Sequence, residues 1–340
     1  GEGIAGRVAE SRSPLNILDA QNDSRFFKSV DDETGFITRN LLSVPLIHND
    51  ELLGVLNVLN SSKKSAFDNE DQEILLAYSY LASAAIIRAK LIESRLAQQR
   101  LETQLTTAAK IQSLFWPEIP ELGNGSHVWA ISRPATFVGG DLYDFIPLND
   151  GSWMFYVADV SDKGLPAAMV MVALWSKIRS EVVLHKELGH LLAAINNSMY
   201  DLLSSEGFFA TIILGQYWPV TGTINLVRGG HLFPIVVSDG VVKEVNDLEG
   251  ISLGVIENTP YAQTTVSLSP GDSIIFISDG VTESENTQAI QFGSERVFDC
   301  VRNERRMPRS QALLGEVMDW QENTSPNDDL TILEVWRDPV

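Results

Sequence analysis

Apolar, strand-like runs that each place an aspartate at one end recur along this chain, and that repetition constrains its fold more than any other feature. One such stretch runs from Val138 to Gly164 and reads VGGDLYDF, a short polar turn, then WMFYVADVSDKG. The apolar alternation from Trp153 to Val157 predicts a buried strand, and Asp159 stands where it ends. Upstream, a strand expected to end at Val138 turns on Gly139 and Gly140 and delivers Asp141, where bare backbone admits a ligand closely. Far downstream, SIIFISDGVTES puts Asp279 after the most apolar strand, and SPNDDLTILEVW puts Asp328 and Asp329 just before another. One aspartate beside glycine is an ordinary turn residue. A packed core gains nothing from several carboxylates held together, so their recurrence points to cations that neutralise the mutual repulsion. Hard oxygen donors with water in the remaining positions suit magnesium or manganese.

In chain order, VGGDLYDF, VADVSDKGLPAAMVMV, FFATIILGQYWPVTGTINLVRGGHLFP, SLGV, LSPGDSIIFISDGVTES, QFGSERV and NDDLTILEV resemble the SpoIIE-type serine/threonine phosphatases. These belong to the metal-dependent PPM superfamily, related to the type 2C enzymes. The resemblance implies an α+β fold whose catalytic part is an αββα sandwich, two packed sheets flanked by helices. It implies two divalent cations, Mn2+ or Mg2+, held by Asp141, Asp159, Asp279 and Asp328 with the backbone carbonyl of Val160 assisting. Asp328 is preferred to Asp329 because the family's acidic ligand lies three residues before the threonine, here Thr331. Asp162 stands where glycine is common in the motif and adds negative charge beside the site. The implied reaction is hydrolysis of phosphoserine or phosphothreonine on a protein by a metal-activated water, without a covalent nucleophile. In that family the substrate is often a phosphorylated anti-sigma-factor antagonist, a small STAS-type protein. Arg133 and Arg228 are candidates for holding phosphate, although neither stands where the type 2C arginine does. His231, in RGGHLFP, reads as a turn residue hydrogen-bonded near the site rather than a general base.

Before this unit, GEGIAGRVAESRSPLNILDA, DSRFFKSVDDETGF and RNLLSVPLIHNDELLGVLNVLN resemble the second half of a GAF domain, whose first helix and strands would precede Gly1. Asn49 and Asp50 predict a hairpin turn. Lys63, Phe67 and Asp71 loosely echo a cyclic-nucleotide-binding motif, but the same residues serve to cap and pack the next helix. From Asp68, a plausible N-cap, to Phe115 there is neither proline nor glycine, which predicts one helix of about 70 Å ended by Pro117. Ile87, Leu91, Leu101, Leu105 and Ala108 share a heptad seam interrupted by Ser94 and Gln98, and a parallel coiled-coil dimer would bury it. The expected organisation is therefore a partial GAF domain over residues 1–67, a linker and dimerisation helix over 68–115, and a phosphatase domain over 116–340.

The remaining sequence features bound the setting. The 340 residues suffice for two cores, and a net charge of −20 argues against nucleic acid or an anionic membrane as partner. The lone cysteine, Cys300, forms no internal disulfide and reads as a buried small residue, which fits a cytoplasmic setting. No signal peptide is evident and no apolar run of ~18 residues is expected to span a membrane. Met169 and Met171 read as core filler in the helix after Gly164. A sensor histidine kinase is disfavoured because no histidine lies between Asp68 and Phe115. A catalytically inactive phosphoprotein-binding module remains the alternative that metal titration separates from an enzyme.

Overall fold

The computed structural model describes residues 3–322 and 324–339, and the chain divides into two compact units, 1–102 and 103–340. In the first unit, α1 (Gly3–Ser11), β1 (Leu15–Ile17), α2 (Ser29–Thr34), β2 (Leu41–His48) and β3 (Glu51–Leu59) follow one another. The strands form an antiparallel sheet in the order β1-β2-β3, and α1 covers it by burying Ile4 and Val8. Asn49 and Asp50 both take left-handed φ values, 46° and 64°, which the two-residue turn between β2 and β3 requires. A cleft of about 560 Å³ in this unit is lined by side chains that include Ile4, Phe26, Val30 and Leu59.

The long helix α3 runs from Asn69 to Gln112. Its start is fixed by a reciprocal cap: Asp71 donates its N–H to Asp68 Oδ1 (3.1 Å) and Asp68 donates its own to Asp71 Oδ2 (3.0 Å). Asp71, one of the residues echoing the nucleotide motif, is thus occupied in capping. The helix ends three residues before Phe115, because the chain there tightens into i→i+3 bonds from Leu114 to Ile111 and from Phe115 to Gln112. That tightening turns Phe115 edge-on to Trp175 (4.9 Å) and sends Trp116 toward the core between the sheets. All side chains of residues 88–104 are exposed. By length and composition alone, α3 is long and apolar enough to cross a membrane, contrary to the sequence expectation.

In the second unit, β4 (Ser126–Arg133), β5 (Leu142–Pro147) and β6 (Trp153–Val160) lead into α4 (Leu165–Glu181) and α5 (Leu188–Ser205). Then come β7 (Ala210–Trp218), β8 (Thr223–Gly229), β9 (Ile235–Ser238), β10 (Val241–Glu244), β11 (Gln263–Ser267) and β12 (Ser273–Ile277). A short α6 (Asp279–Thr282), α7 (Gly293–Asn303), α8 (Arg309–Gln321) and β13 (Leu330–Arg337) complete it. The strands form two five-stranded antiparallel sheets, ordered β11-β8-β7-β6-β5 and β10-β9-β12-β13-β4. Alternation along each strand assigns one face to the space between the sheets, where Phe155 meets Phe276 edge-on at 5.0 Å. The opposite face of the first sheet packs Met154, Tyr156 and Ala158 against Met171 and Leu174 of α4 and Leu192 of α5. Ile275 and Ile332 of the second sheet meet Val297 of α7 and Leu313 of α8. This is the αββα sandwich that the resemblance implies. Met171 is buried as expected, but Met169 is 68 % exposed because it lies outside the stripe of α4 that meets the sheet. Cys300 is buried on α7.

Candidate metal centre

Asp141 sits in a loop, not after a strand. The strand expected to end at Val138 is absent: β4 stops at Arg133 and β5 begins at Leu142. Pro134 lacks an N–H, and the N–H groups of Ala135 and Gly140 are taken by Asp329, at 2.7 Å to Oδ1 and 2.6 Å to Oδ2. A carboxylate therefore replaces the missing ladder partners. The loop also needs its glycines, since a Cβ on Gly140 would stand 2.6 Å from the carbonyl oxygen of Val160.

The other carboxylates arrive from strand ends. Asp159 lies in the last pairs of β6, opposite Thr211 of β7, and Asp279 opens α6 directly after β12. Ser278 latches β12 to β13: its Oγ accepts the N–H of Thr331 at 2.9 Å and donates to the Asp329 carbonyl at 3.3 Å. Asp328 accepts the N–H of Asp329 at Oδ1 (2.9 Å), which leaves Oδ2 for a cation. Of the adjacent pair, Asp329 is thus a structural bracket with both oxygens engaged by backbone, and Asp328 presents a carboxylate oxygen to the cluster.

Electrostatics bind these residues into one site. Burial drives the pKa of Asp141 well above the usual carboxylate range, helped by the charges of Asp159 and Asp329 and tempered by the nearby hydroxyls of Thr331 and Ser278. Both Asp141 oxygens nonetheless lack a hydrogen-bond partner although they are buried. Asp159 is pushed up to about 7, by burial first and then by Asp279 and Asp328. Asp279 is raised by burial and by Asp328, and Asp329 is raised chiefly by burial. A buried carboxylate whose oxygens have no hydrogen-bond partner, as in Asp141, calls for a proton or a cation. Among the described residues no three acidic, histidine or cysteine side chains already converge as ligands of one ion. Cations that keep much of their coordination as water, held by one or two carboxylates each, fit such a donor set, and magnesium and manganese are of that kind.

The family model described as Stage II sporulation protein E (SpoIIE) matches residues 149–338, more than half of the chain. The chain belongs to the SpoIIE family. A GAF domain model matches residues 1–86. Protein IcfG of Synechocystis sp. is 23 % identical over 329 residues, covering 83 % of this chain and 51 % of that protein, so the chain spans about half the length of that relative. Among solved structures, the SiaA PP2C domain of Pseudomonas aeruginosa superposes with a TM-score of 0.62 at 22 % identity, covering 71 % of this chain and 98 % of that one. The RsbU and RsbW domains of a Mycobacterium tuberculosis protein give a TM-score of 0.54 at 24 % identity over 66 % of this chain and 62 % of theirs. The sandwich is accordingly the PP2C fold of SpoIIE-type phosphatases.

Within this SpoIIE-type site, the proposed phosphate-binding arginines are not brought together with the carboxylates. Arg133 points to the outer face and donates to Met318 Sδ of α8 at 2.8 Å. Arg228 donates to the carbonyls of His231 and Leu248 and lies over the Phe233 ring, 4.3 Å from its centroid, so its fork is committed to the fold. His231 is buried, paired through Nδ1 with Thr211 Oγ1 at 2.8 Å, and burial lowers its pKa to about 4. It is a neutral structural histidine, as its turn motif suggested. Asp162 takes φ 72° and accepts the N–H of Lys163 at 2.9 Å, shaping the turn instead of entering the cluster. The cation that does reach the carboxylates was missed by sequence reasoning. Lys163 Nζ stands 2.9 Å from Asp328 Oδ2, and its charge is felt by Asp279. The lysine in SDKG was visible, but its direction was not.

A raised carboxylate pKa sets the sign of a pH effect. Asp159 holds its proton in the folded protein to about 7, whereas unfolded it releases it near 3.8. The folded state therefore binds more protons across that window, and metal-free protein loses stability as pH rises from about 4 to about 7. Millimolar manganese, which binds the folded cluster, is expected to raise the melting temperature most at the upper end of the window. Thermal melts with chelator or manganese at several pH values measure this, and a manganese-independent melting curve at neutral pH contradicts a preformed site.

Proposed function

We propose that the chain is a metal-dependent protein phosphatase that hydrolyses phosphoserine or phosphothreonine on a regulatory protein, with a STAS-type anti-sigma-factor antagonist as the first substrate class to test. The observation that carries this reading is Asp141, buried with both oxygens unpartnered beside Asp159. Asp141, Asp159, Asp279 and Asp328 would hold two divalent cations, with the Val160 carbonyl contributing. Bound there, the cations supply water activation and charge neutralisation for attack on phosphorus. The chain's own residues do the positioning: Asp329 fixes the Ala135–Gly140 loop, and Ser278 holds the ends that carry Asp279 and Asp328. Hydrolysis of an aryl phosphate with manganese, magnesium or chelator tests the reading. Turnover that is equal in chelator and in manganese refutes it.

Regulation through the GAF unit and α3 belongs to the same proposal. Gln112, the last residue of α3, is buried and clamps Gly139 from both sides: its Nε2 donates to the Gly139 carbonyl at 2.6 Å, and its Oε1 accepts the Gly139 N–H at 3.2 Å. The end of the helix is therefore tied to backbone two residues before Asp141. Beside that clamp, Ile111 and Phe115 face Leu165 and Met169 of α4 across an apolar groove of about 260 Å³. A stiff helix transmits displacement that a Gly/Ser linker would absorb. Its apolar seam, with Leu91 66 % and Leu101 55 % exposed, is assigned to a second copy of the chain. Arg88 and Lys90 lie within the apolar stretch of α3 and Glu93 and Arg95 directly follow it, charges that disfavour a bilayer as what covers the helix. We accordingly place the protein in the cytoplasm as a homodimer through α3, without nucleic-acid or membrane partners. Wild type is expected to sediment as a dimer, and Leu101→Ser with Leu105→Ser as a monomer with altered turnover. A monomeric wild type, or a monomeric variant with unchanged turnover, overturns the regulatory idea.

A further inference from the structure

We propose that Lys163 is a phosphate-binding residue that exchanges partners: its ammonium, which pairs with Asp328 Oδ2, takes a non-bridging oxygen of the substrate phosphoryl group once a cation claims that carboxylate. This inference rests on the phosphatase reading above and names the group that meets the substrate's charge.

Placement is the first support. Lys163 lies in the turn between β6 and α4, between two residues in the left-handed region, Asp162 (φ 72°) and Gly164 (φ 74°). The Asp162 carboxylate accepts the Lys163 N–H, so the backbone of the turn is held and the side chain is directed by it. The ammonium contacts Asp328 Oδ2 at 2.9 Å and donates to the carbonyl of Asn327, while the side chain stays 47 % exposed. It therefore sits on the solvent side of the carboxylates, where an incoming phosphate monoester would arrive.

Charge is the second. A phosphate dianion approaching several aspartates needs more positive charge than ligand-neutralised metals leave over, and the arginines that could have supplied it are engaged elsewhere, Arg133 with Met318 and Arg228 with the His231 and Leu248 carbonyls. A half-exposed lysine–aspartate pair adds little to stability. Stability is thus a poor reason for a lysine at this point of the turn. An ammonium and a divalent cation compete for one carboxylate oxygen, so loading the site frees Lys163 beside the cluster. A lysine is a point charge with rotatable donors, suited to following a phosphoryl oxygen without dictating its orientation.

Two measurements on the full chain, each made with wild type, Lys163→Gln and Lys163→Arg, test the exchange. Calorimetric titration with manganese alone should show Lys163→Gln binding metal more tightly, by about threefold to tenfold, because a competitor for Asp328 is gone. Titration of manganese-loaded protein with inorganic phosphate should show Lys163→Gln weakened by about tenfold, the worth of one charge-assisted hydrogen bond, with Lys163→Arg retaining most of the affinity. In turnover of an aryl phosphate the same loss should fall on KM more than on kcat. Phosphate affinity of Lys163→Gln within twofold of wild type overturns the proposal, as does weaker manganese binding by that variant. Phosphate binding is read without turnover, so an inactive wild type would refute the phosphatase reading while the two titrations still decide the role of Lys163.

Discussion

Asp159→Asn and Asp279→Asn each lose turnover by about a hundredfold or more at saturating manganese while keeping the wild-type fold. Removing a partner of a metal ligand commonly costs ten- to a hundredfold, so removing a ligand charge itself should cost at least that much. Asparagine conserves volume and deletes the charge. Asp159 is held near a pKa of about 7 by burial and by Asp279 and Asp328, so its ionised form is strained in metal-free protein. Asp159→Asn should therefore melt higher than wild type in chelator at neutral pH, even as it loses activity. That opposition of signs separates a ligand from a structural carboxylate, whose loss lowers both. Kinetics on an aryl phosphate and melts in chelator measure the two effects, and near-normal turnover of either variant at saturating manganese would sink the metal assignment.

Gly280→Ala is expected to cost about 3 kcal/mol of stability and to abolish manganese binding. Gly280 lies in α6, where helix propensity alone would favour alanine by about 1 kcal/mol. The close approach of β13 decides otherwise: an added Cβ would stand 1.9 Å from the carbonyl oxygen of Asp329 and 2.8 Å from its carbon. Those are backbone atoms in the turn that carries Asp328, Asp329 and the Ser278 latch, so relief of the clash moves the site itself. Gly315→Ala is the matched control, since Gly315 is an exposed position of α8 with nothing within 4 Å of the new atom. It should raise stability by about 0.5–1 kcal/mol. Thermal melts and manganese titration of both variants decide the matter; equal melting temperatures would mean that the β12–β13 junction is looser than its geometry indicates.

Much of this architecture was legible locally. Apolar runs marked β6 and β12, the Asn49–Asp50 pair marked the hairpin of the first unit, and Asp68 marked the start of α3. Each signal involves residues within a few positions of one another, where side-chain periodicity and backbone preference act directly. Where local reading failed, a distant group had intervened. Val138 does not end a strand because Asp329, far along the chain, satisfies the backbone of that loop. Helix α3 stops short of Phe115 because Phe115 and Trp116 turn inward to pack.

By itself the sequence pointed to the family, the sandwich and Asp141, Asp159, Asp279 and Asp328 as the acidic residues of one site, because ordered motifs and apolar periodicity are properties of the chain alone. Only the tertiary structure decided that Asp329 brackets the Ala135–Gly140 loop, that Arg133 and Arg228 are engaged elsewhere, that Lys163 reaches the cluster, and that Gln112 grips Gly139. Those outcomes depend on where side chains point and on contacts between residues as far apart as Gly140 and Asp329, 189 positions in sequence. Such contacts form when the sheets close on each other, and no local pattern encodes them.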